Sequence, residues 1–307
     1  MTQGESKRLN VVVGPQRTAS TFLHSLLASG NSFHVPLVKE LNFLLSRSNW
    51  AEHFASWSSD EFLKKFLLNF GDHDSVLRNL TQYNRLRINQ LRNFNFTKDA
   101  YSKVFQTPFP GFDISPSYCA IDESSWIQIR EEFALNIFVT IRDPIERCWS
   151  ALNLYARPLK KVMPDGFMRK GILENYAEIS ALKLRLSKFS QEVIFCQYQD
   201  LVPKLMRVFG NSVTLLDYDE LISNPLDVLA QLRKVNGIVA PDRMERFRGN
   251  SMALSSKLSE SAKNSLSINE APGWFRDWHS ESFPGEIQYF QKNKEAVKIR
   301  NYSNSGA

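Results

Sequence analysis

The sequence is poor in cysteine: Cys119, Cys148 and Cys196 are the only three in 307 residues. So few, so scattered, cannot build a disulfide framework or a cysteine-ligated zinc site, and each reads as a small buried apolar side chain. Long apolar runs are missing too. No stretch approaches the ~20 residues needed to cross a bilayer. The opening residues MTQGESKRLN lack the apolar core of a secretion signal, so the sequence predicts a soluble, cytoplasmic protein with no membrane span. Gly and Pro number 13 each, too few for a collagen-like or linker-dominated chain. No lysine–arginine block or pattern of stacking aromatics marks a nucleic-acid partner. What remains is an ordinary globular composition, 43% hydrophobic and 23% charged. The balance of 38 basic against 32 acidic residues gives +6, and the pI is near 9.1. That suits an anionic ligand without choosing among phosphorylated cofactors, acidic glycans and nucleic acid.

Strand and helix patterns alternate along the chain. Leu9–Val13 is a short β-branched run closed by Gly14-Pro15 and reads as a buried strand. Phe22, Leu23, Leu26 and Leu27 then recur at helical spacing, with Gly30-Asn31 as the stop. Residues 50–105 look mostly helical and connective, with an apolar stripe of Leu63, Phe66, Leu67 and Phe70 and a basic stretch from Arg85 to Lys103. Asn136–Ile141 is a second buried strand, followed by Pro144 at the first turn of a helix carrying Trp149, Leu152 and Tyr155. Residues 172–189 carry another helical pattern. Ser212–Leu216 is a third strand, and Pro225 opens a helix through Leu232. This alternation predicts an α/β fold with a central parallel sheet flanked by helices on both faces. The last 40 residues hold Trp274 and Trp278 but no clear period.

Two segments carry chemistry. Gly14-Pro15-Gln16-Arg17-Thr18-Ala19-Ser20-Thr21 joins the first strand to the first helix, where backbone N–H groups and the helix dipole converge on one anion site. Arg17 adds a guanidinium fork, and Thr18, Ser20 and Thr21 add hydroxyls. A nucleotide-triphosphate P-loop would need a second Gly followed by Lys and Ser/Thr; both Gly and Lys are absent, which disfavours an ATPase or GTPase. The plain alternative is a strand-to-helix turn with a Ser/Thr cap. The second segment, IRDPIERCWSAL, leaves the Asn136–Ile141 strand with Arg142 at the strand tip, where ligands collect in open α/β sheets, and Ser150 two helical turns on. The plain alternative there is an ion pair of Arg142 with Asp143 or Glu146.

Together the two segments resemble the sulfotransferases that use 3′-phosphoadenosine 5′-phosphosulfate (PAPS). Pro15–Thr21 is similar to their 5′-phosphosulfate loop, and Arg142 with Ser150 to their 3′-phosphate pair. The first loop departs from the pattern in the extra Gln16, in Arg17 where lysine is usual, and in Ala19 where glycine is usual. Gly111-Phe112-Asp113-Ile114-Ser115-Pro116-Ser117-Tyr118 is similar to the Gly-Glu-Lys-Ser-Pro-x-Tyr of bacterial and glycan-directed members, with Ile114 at the lysine. Leu215–Leu221 followed by Asn224-Pro225 resembles their late strand. The resemblance covers most of residues 9–235. It implies one P-loop-like domain: residues 8–45 with the first loop and the candidate base, 46–110 as an acceptor-side insertion, 111–235 with the 3′-phosphate site, and a C-terminal segment 236–307.

The resemblance also implies a division of labour. Gln16, Arg17, Thr18, Ala19, Ser20 and Thr21 hold the 5′ end of PAPS, and Arg142 and Ser150 the 3′-phosphate; no metal is required. A general base must reach the acceptor hydroxyl. Glu40, in Val38-Lys39-Glu40-Leu41-Asn42-Phe43-Leu44, looks like the Glu that serves as base in glycan-directed and bacterial members; the alternative is a surface Lys-Glu pair. Asp113 and the five histidines are the other candidates, with His73 a minor one and His24, His34, His53 and His279 read as structural or exposed. Either Lys39 or Arg17 supplies the charge that Ile114 does not, or the activity is lost. Lys257, Lys263 and Arg276 are the late cations available to close over the phosphates. The expected activity is sulfuryl transfer from PAPS to a hydroxyl, on a glycan or alcohol, possible also for an amine. Two other readings stay open: a non-catalytic anion- or nucleotide-binding module on the same fold, and an atypical P-loop kinase.

Overall fold

The computed structural model of the protein describes residues 8–29, 32–36, 39–54, 97–105, 109–160, 183, 186–238, 271 and 273–303. In chain order the elements are β1 (Leu9–Val13), α1 (Ser20–Ser29), a 3₁₀ turn (Phe43–Arg47), α2 (Ala51–Phe54), α3 (Lys98–Val104), β2 (Phe112–Ile114), a second 3₁₀ turn (Pro116–Ala120), α4 (Glu123–Glu132) and β3 (Leu135–Ile141). Then come α5 (Pro144–Lys160), α6 (Lys188–Ile194), α7 (Tyr198–Phe209), β4 (Val213–Asp217), α8 (Tyr218–Ser223), α9 (Pro225–Val235), α10 (Gly273–Ser282) and α11 (Pro284–Ser303).

The four strands form one parallel sheet in the order β2-β1-β3-β4. β1 lies inside it, with Val11 opposite Asp113 on one side and Ile137 on the other, and Val139 pairs with Leu215 across β3 and β4. Alternation along the strands supplies both faces. Val11, Val13, Ile137, Val139 and Ile141 point into a core shared with Trp126 of α4 and Leu201 and Leu205 of α7. Val12, Phe138, Phe112 and Ile114 point the other way, onto Leu23, Leu26 and Leu27 of α1 and Leu229 and Leu232 of α9. Each such side chain, fully buried, contributes roughly 1.5–3 kcal/mol relative to exposure. This is why the strands are near-continuous apolar runs in the sequence. An asparagine pair ties β3 to β1 and β1 to the residue before β2: Asn136 Nδ2 donates to Asn10 Oδ1 (3.1 Å), and Asn10 Nδ2 donates to the Gly111 carbonyl (3.0 Å).

The expected strands and the helices opening at Thr21, Pro144 and Pro225 are all present, with boundaries moved by a residue or so. Asp143 caps α5, its Oδ1 accepting from the Ile145 and Glu146 N–H groups at 3.0 Å each. β2 is an addition: three residues with a charged one at the centre give no strand signal in sequence. The tail is also more regular than its sequence suggests. Phe275 of α10 packs on Trp149 of α5 (ring centroids 5.0 Å apart), and α11 lies against α7 through Phe290 and Tyr198. The stripe at Leu63–Phe70, His73, most of Arg85–Lys103, most of 172–189 and Lys257 and Lys263 lie outside the described residues. No helix among the described residues is long and apolar enough to cross a membrane.

Candidate functional site

In a parallel sheet of order 2-1-3-4 the connections leave β1 and β3 in opposite directions, and a crevice opens between their carboxyl ends. The two sequence segments meet there. A cavity of about 430 Å³ is lined by Gln16, Arg17, Ala19, Ser20 and Thr21 from the loop after β1, Lys39 and Glu40, Pro116, Arg142 from the tip of β3, Tyr218 and Ile222 of α8, Phe22 and Leu154. That size is ordinary for a small-molecule site. Three cations (Arg17, Lys39 and Arg142) and one carboxylate (Glu40) line it. The site therefore favours an anion, with the positive end of α1 adding to the field.

The first loop is built around a close approach. A Cβ on Gly14 would lie 2.9 Å from Thr140 Oγ1, so only glycine lets the chain pass β3 at this height. Thr18 turns inward: it is fully buried, its hydroxyl 2.6 Å from that of Thr140 and donating to the Pro15 carbonyl at 3.0 Å. Its neighbours Arg17 (φ 72°) and Ala19 (φ 62°) adopt the left-handed backbone region. Alternating conformations of this kind turn successive N–H groups toward one side, as in anion-binding nests. Non-glycine residues hold that conformation at some cost, and such residues cluster at ligand sites.

The two loops are tied by their side chains. Arg17 Nε donates to Ser150 Oγ (2.8 Å), and Arg142 Nη1 donates to the Arg17 carbonyl (2.9 Å). Ser150 is buried and its hydroxyl is occupied by Arg17 rather than lining the cavity. The Arg142 guanidinium lies 4.6 Å from the centre of the Tyr218 ring, and its backbone N–H donates to Tyr198 Oη (3.1 Å). Arg142 thus faces the cavity and is not paired with the acids beside it. Asp143 caps α5, and Glu146 is bonded to Arg276, which also donates to the Ala271 carbonyl.

Across the cavity, Lys39 Nζ donates to Ser20 Oγ (3.1 Å) and Thr21 Oγ1 (3.0 Å) and lies 2.6 Å from Glu40 Oε1. The Lys39 and Glu40 side chains keep 22% and 34% of their surface exposed, so both remain accessible from the cavity. Glu40 also has positive φ (67°), and its N–H donates to the Ile114 carbonyl (3.1 Å). Ile114 itself points into the core beneath α1, so β2 contributes no charge here.

The other base candidates among the described residues sit elsewhere. Asp113 is fully buried, and none of the described histidines lines the cavity. His24 Nε2 is 2.9 Å from the Pro36 carbonyl, His34 is buried at the bridge to Gly111, His53 stacks on Phe189, and His279 is on the buried face of α10. Sequence reasoning missed Tyr218, Tyr198 and Thr140. Tyr218 lay within a segment already marked as similar to a family motif, but nothing local shows that its ring would lie against Arg142.

No protein-family model matches this chain, and no curated protein matches it. Solved structures do. The sulfotransferase from Alicyclobacillus acidocaldarius is 14% identical, with 89% of this chain and 100% of that one covered at a TM-score of 0.50. The sulfotransferase domain from the curacin biosynthetic pathway is 16% identical over 78% of this chain and 77% of that one, at 0.49. The sulfotransferase domain of the Synechococcus PCC 7002 olefin synthase is 17% identical over 78% of each, at 0.48. The fold is thus the P-loop-like α/β fold seen in sulfotransferases, a parallel four-stranded sheet flanked by helices.

Proposed function

We propose that this protein transfers a sulfuryl group from PAPS to a hydroxyl acceptor, with Glu40 as general base. The observation that carries the reading is the meeting of two independent sequence segments at one cavity, where three cations oppose a single accessible carboxylate. The donor set suits the nucleotide: guanidinium groups, hydroxyls and helix-terminal N–H groups all recognise phosphate or sulfate oxygens. PAPS supplies the sulfuryl group, and its 5′-phosphate is the leaving group.

The chain's own residues divide the work. Arg17, Ser20 and Thr21, with the N–H groups of residues 16–19, hold the 5′ end. Arg142, backed by the Tyr218 ring, holds the 3′-phosphate, and Ser150 fixes the Arg17 fork beside it. Lys39, anchored on Ser20 and Thr21, offers positive charge to the transferring oxygens. It stands in for the charge that Ile114 does not provide. Glu40 accepts the acceptor's proton. Fixed cations placed before the charge develops need no reorganisation during the reaction, and positioning with electrostatics supplies most of the acceleration. The apolar members of the lining, Phe22, Leu154 and Ile222, offer packing surface for the nucleoside or the acceptor. A Glu in the base position is the arrangement of the glycan-directed and bacterial sulfotransferases that the sequence resembles, which favours a glycan or alcohol acceptor over a phenol.

The test is transfer of labelled sulfate from PAPS to a panel of glycan and alcohol acceptors. Glu40→Gln is expected to lower kcat by about 10²–10⁴-fold, the usual worth of a general base, while binding adenosine 3′,5′-bisphosphate as before. A variant turning over at the parental rate would remove Glu40 from the reaction. Bisphosphate binding without transfer to any acceptor would favour the binding-module reading.

A further inference from the structure

We infer that Asp113 is a positioning residue for Glu40, holding the loop that carries it through two hydroxyl relays; the inference rests on the reading of Glu40 as base. Asp113 sits at the centre of β2 with no surface exposed, outside the cavity. Its carboxylate receives three hydroxyls: Tyr101 Oη (2.7 Å) and Tyr118 Oη (2.6 Å) on Oδ2, and Ser115 Oγ (2.8 Å) on Oδ1. Burial pushes its carboxyl up, and the three donors work against that shift. A buried acid with this many donors is already satisfied, so it is not itself the proton acceptor.

Two of the three donors lead onward. Tyr118 Oη accepts the Leu44 N–H at 3.2 Å, and Ser115 Oγ accepts the Asn42 N–H at 3.2 Å. The Glu40 N–H is held by the carbonyl of Ile114, the residue after Asp113. Alternate N–H groups of the loop, at 40, 42 and 44, are therefore all fixed on β2 and the turn after it. This matters because the loop is conformationally costly. Glu40 and Asn42 both have positive φ, 67° and 55°, without being glycine. Such residues persist only where surrounding bonds determine them. The carboxylate of Asp113 sets the direction of both relays: it accepts only, so each hydroxyl must give it the proton and keep its lone pairs for the loop. An asparagine presents an N–H₂ on one side and removes that constraint. Tyr101 completes the support, its ring stacked on Phe43 at 4.1 Å.

The experiment compares Asp113→Asn and the milder Tyr118→Phe, each alone and combined with Glu40→Gln. Backbone hydrogen exchange and sulfuryl transfer are both followed. Exchange in the segment 39–47 should quicken in both variants while the phosphate loop, 14–21, stays as protected as in the parent. The bisphosphate dissociation constant should stay within about twofold, and kcat should fall by up to about 100-fold, the cost of a displaced reacting group. In the Glu40→Gln background neither substitution should lower kcat further, since the group being positioned is gone. Unchanged exchange across 39–47 would overturn the inference. So would an equal loss of kcat in both backgrounds, which marks general damage. If Glu40→Gln alone keeps parental turnover, the base reading fails, and the exchange comparison still decides whether Asp113 holds the loop.

Discussion

Ala19 carries the clearest single-residue signature of the site. It lines the cavity with a left-handed backbone, and its methyl group is only partly buried against the core beneath α1. The αL conformation costs an L-residue about 1–2 kcal/mol that glycine avoids, against a smaller entropic gain from keeping Ala in the unfolded chain. Ala19→Gly should therefore raise stability by about 1 kcal/mol, measured as a higher urea midpoint at unchanged slope. The resembled loop carries glycine at this position, and the φ angle gives the physical reason. Arg142 was legible in the same way, as an arginine at a strand tip. Its neighbours Tyr218 and Tyr198 were not, because their contacts with it span 76 and 56 positions and leave no local pattern (218 − 142 and 198 − 142).

At the scale of elements, legibility followed burial. β1, β3 and β4 announce themselves because parallel strands covered on both faces must be apolar throughout. β2 does not, since its central residue is Asp113 and its polar network is made by residues from α3 and the turn after it. The Trp and Phe residues of α10 wrap more than one face of the helix, against α5 and against Phe283, which blurs the helical period that would have revealed it. The joint between β1 and β3 is where one element depends most on another. Thr18 and Thr140 share a hydroxyl contact beneath Gly14, buried away from solvent. Thr18→Val keeps the shape and orphans the Thr140 hydroxyl, and should cost about 1–3 kcal/mol by denaturant unfolding. Its effect on bisphosphate binding should be larger than that of surface substitutions, because the loop on which the anion site rests is anchored at this point.

For the whole molecule, the C-terminal helices are bonded to the layer behind the site. Arg147 of α5 is buried and donates to the Ile194 and Cys196 carbonyls, both at 2.9 Å. Close by, Glu286 Oε1 accepts the Tyr198 N–H (3.4 Å), and Glu286 Oε2 lies 3.5 Å from His279 Nε2. Burial pushes the Glu286 carboxyl up to about 7, against the pull of Arg147. Burial, with Arg147 adding to it, pushes the His279 imidazole down to about 4. Between those values neither group is charged, so the pair is a neutral contact rather than an ion pair.

The two shifts act on stability in opposite directions. Between 4.5 and about 7 the folded carboxyl keeps a proton that the unfolded chain releases, so this term falls as pH rises. Between 6.5 and about 4 the unfolded imidazole binds a proton that the folded one refuses, so that term falls as pH drops. They largely cancel where they overlap. His279→Phe should leave the carboxyl slope alone, and the variant should lose stability as pH is raised from 4.5 to about 7. Glu286→Gln should show the reverse, losing stability as pH is lowered from 6.5 to about 4. Urea midpoints across this range check both; profiles parallel to the parent's would contradict the assignment.

On the proposed function, the loops after β1 and β3 form one nucleotide site that reads a 3′-phosphate. Calorimetric titration with adenosine 3′,5′-bisphosphate, beside adenosine 5′-monophosphate and Mg-ATP, decides this. The bisphosphate should bind best, and Arg142→Ala should weaken it by about 10–100-fold, the worth of a hydrogen bond to a charged group, while hardly changing the monophosphate. Preferential binding of Mg-ATP, or bisphosphate affinity indifferent to Arg142, would contradict it.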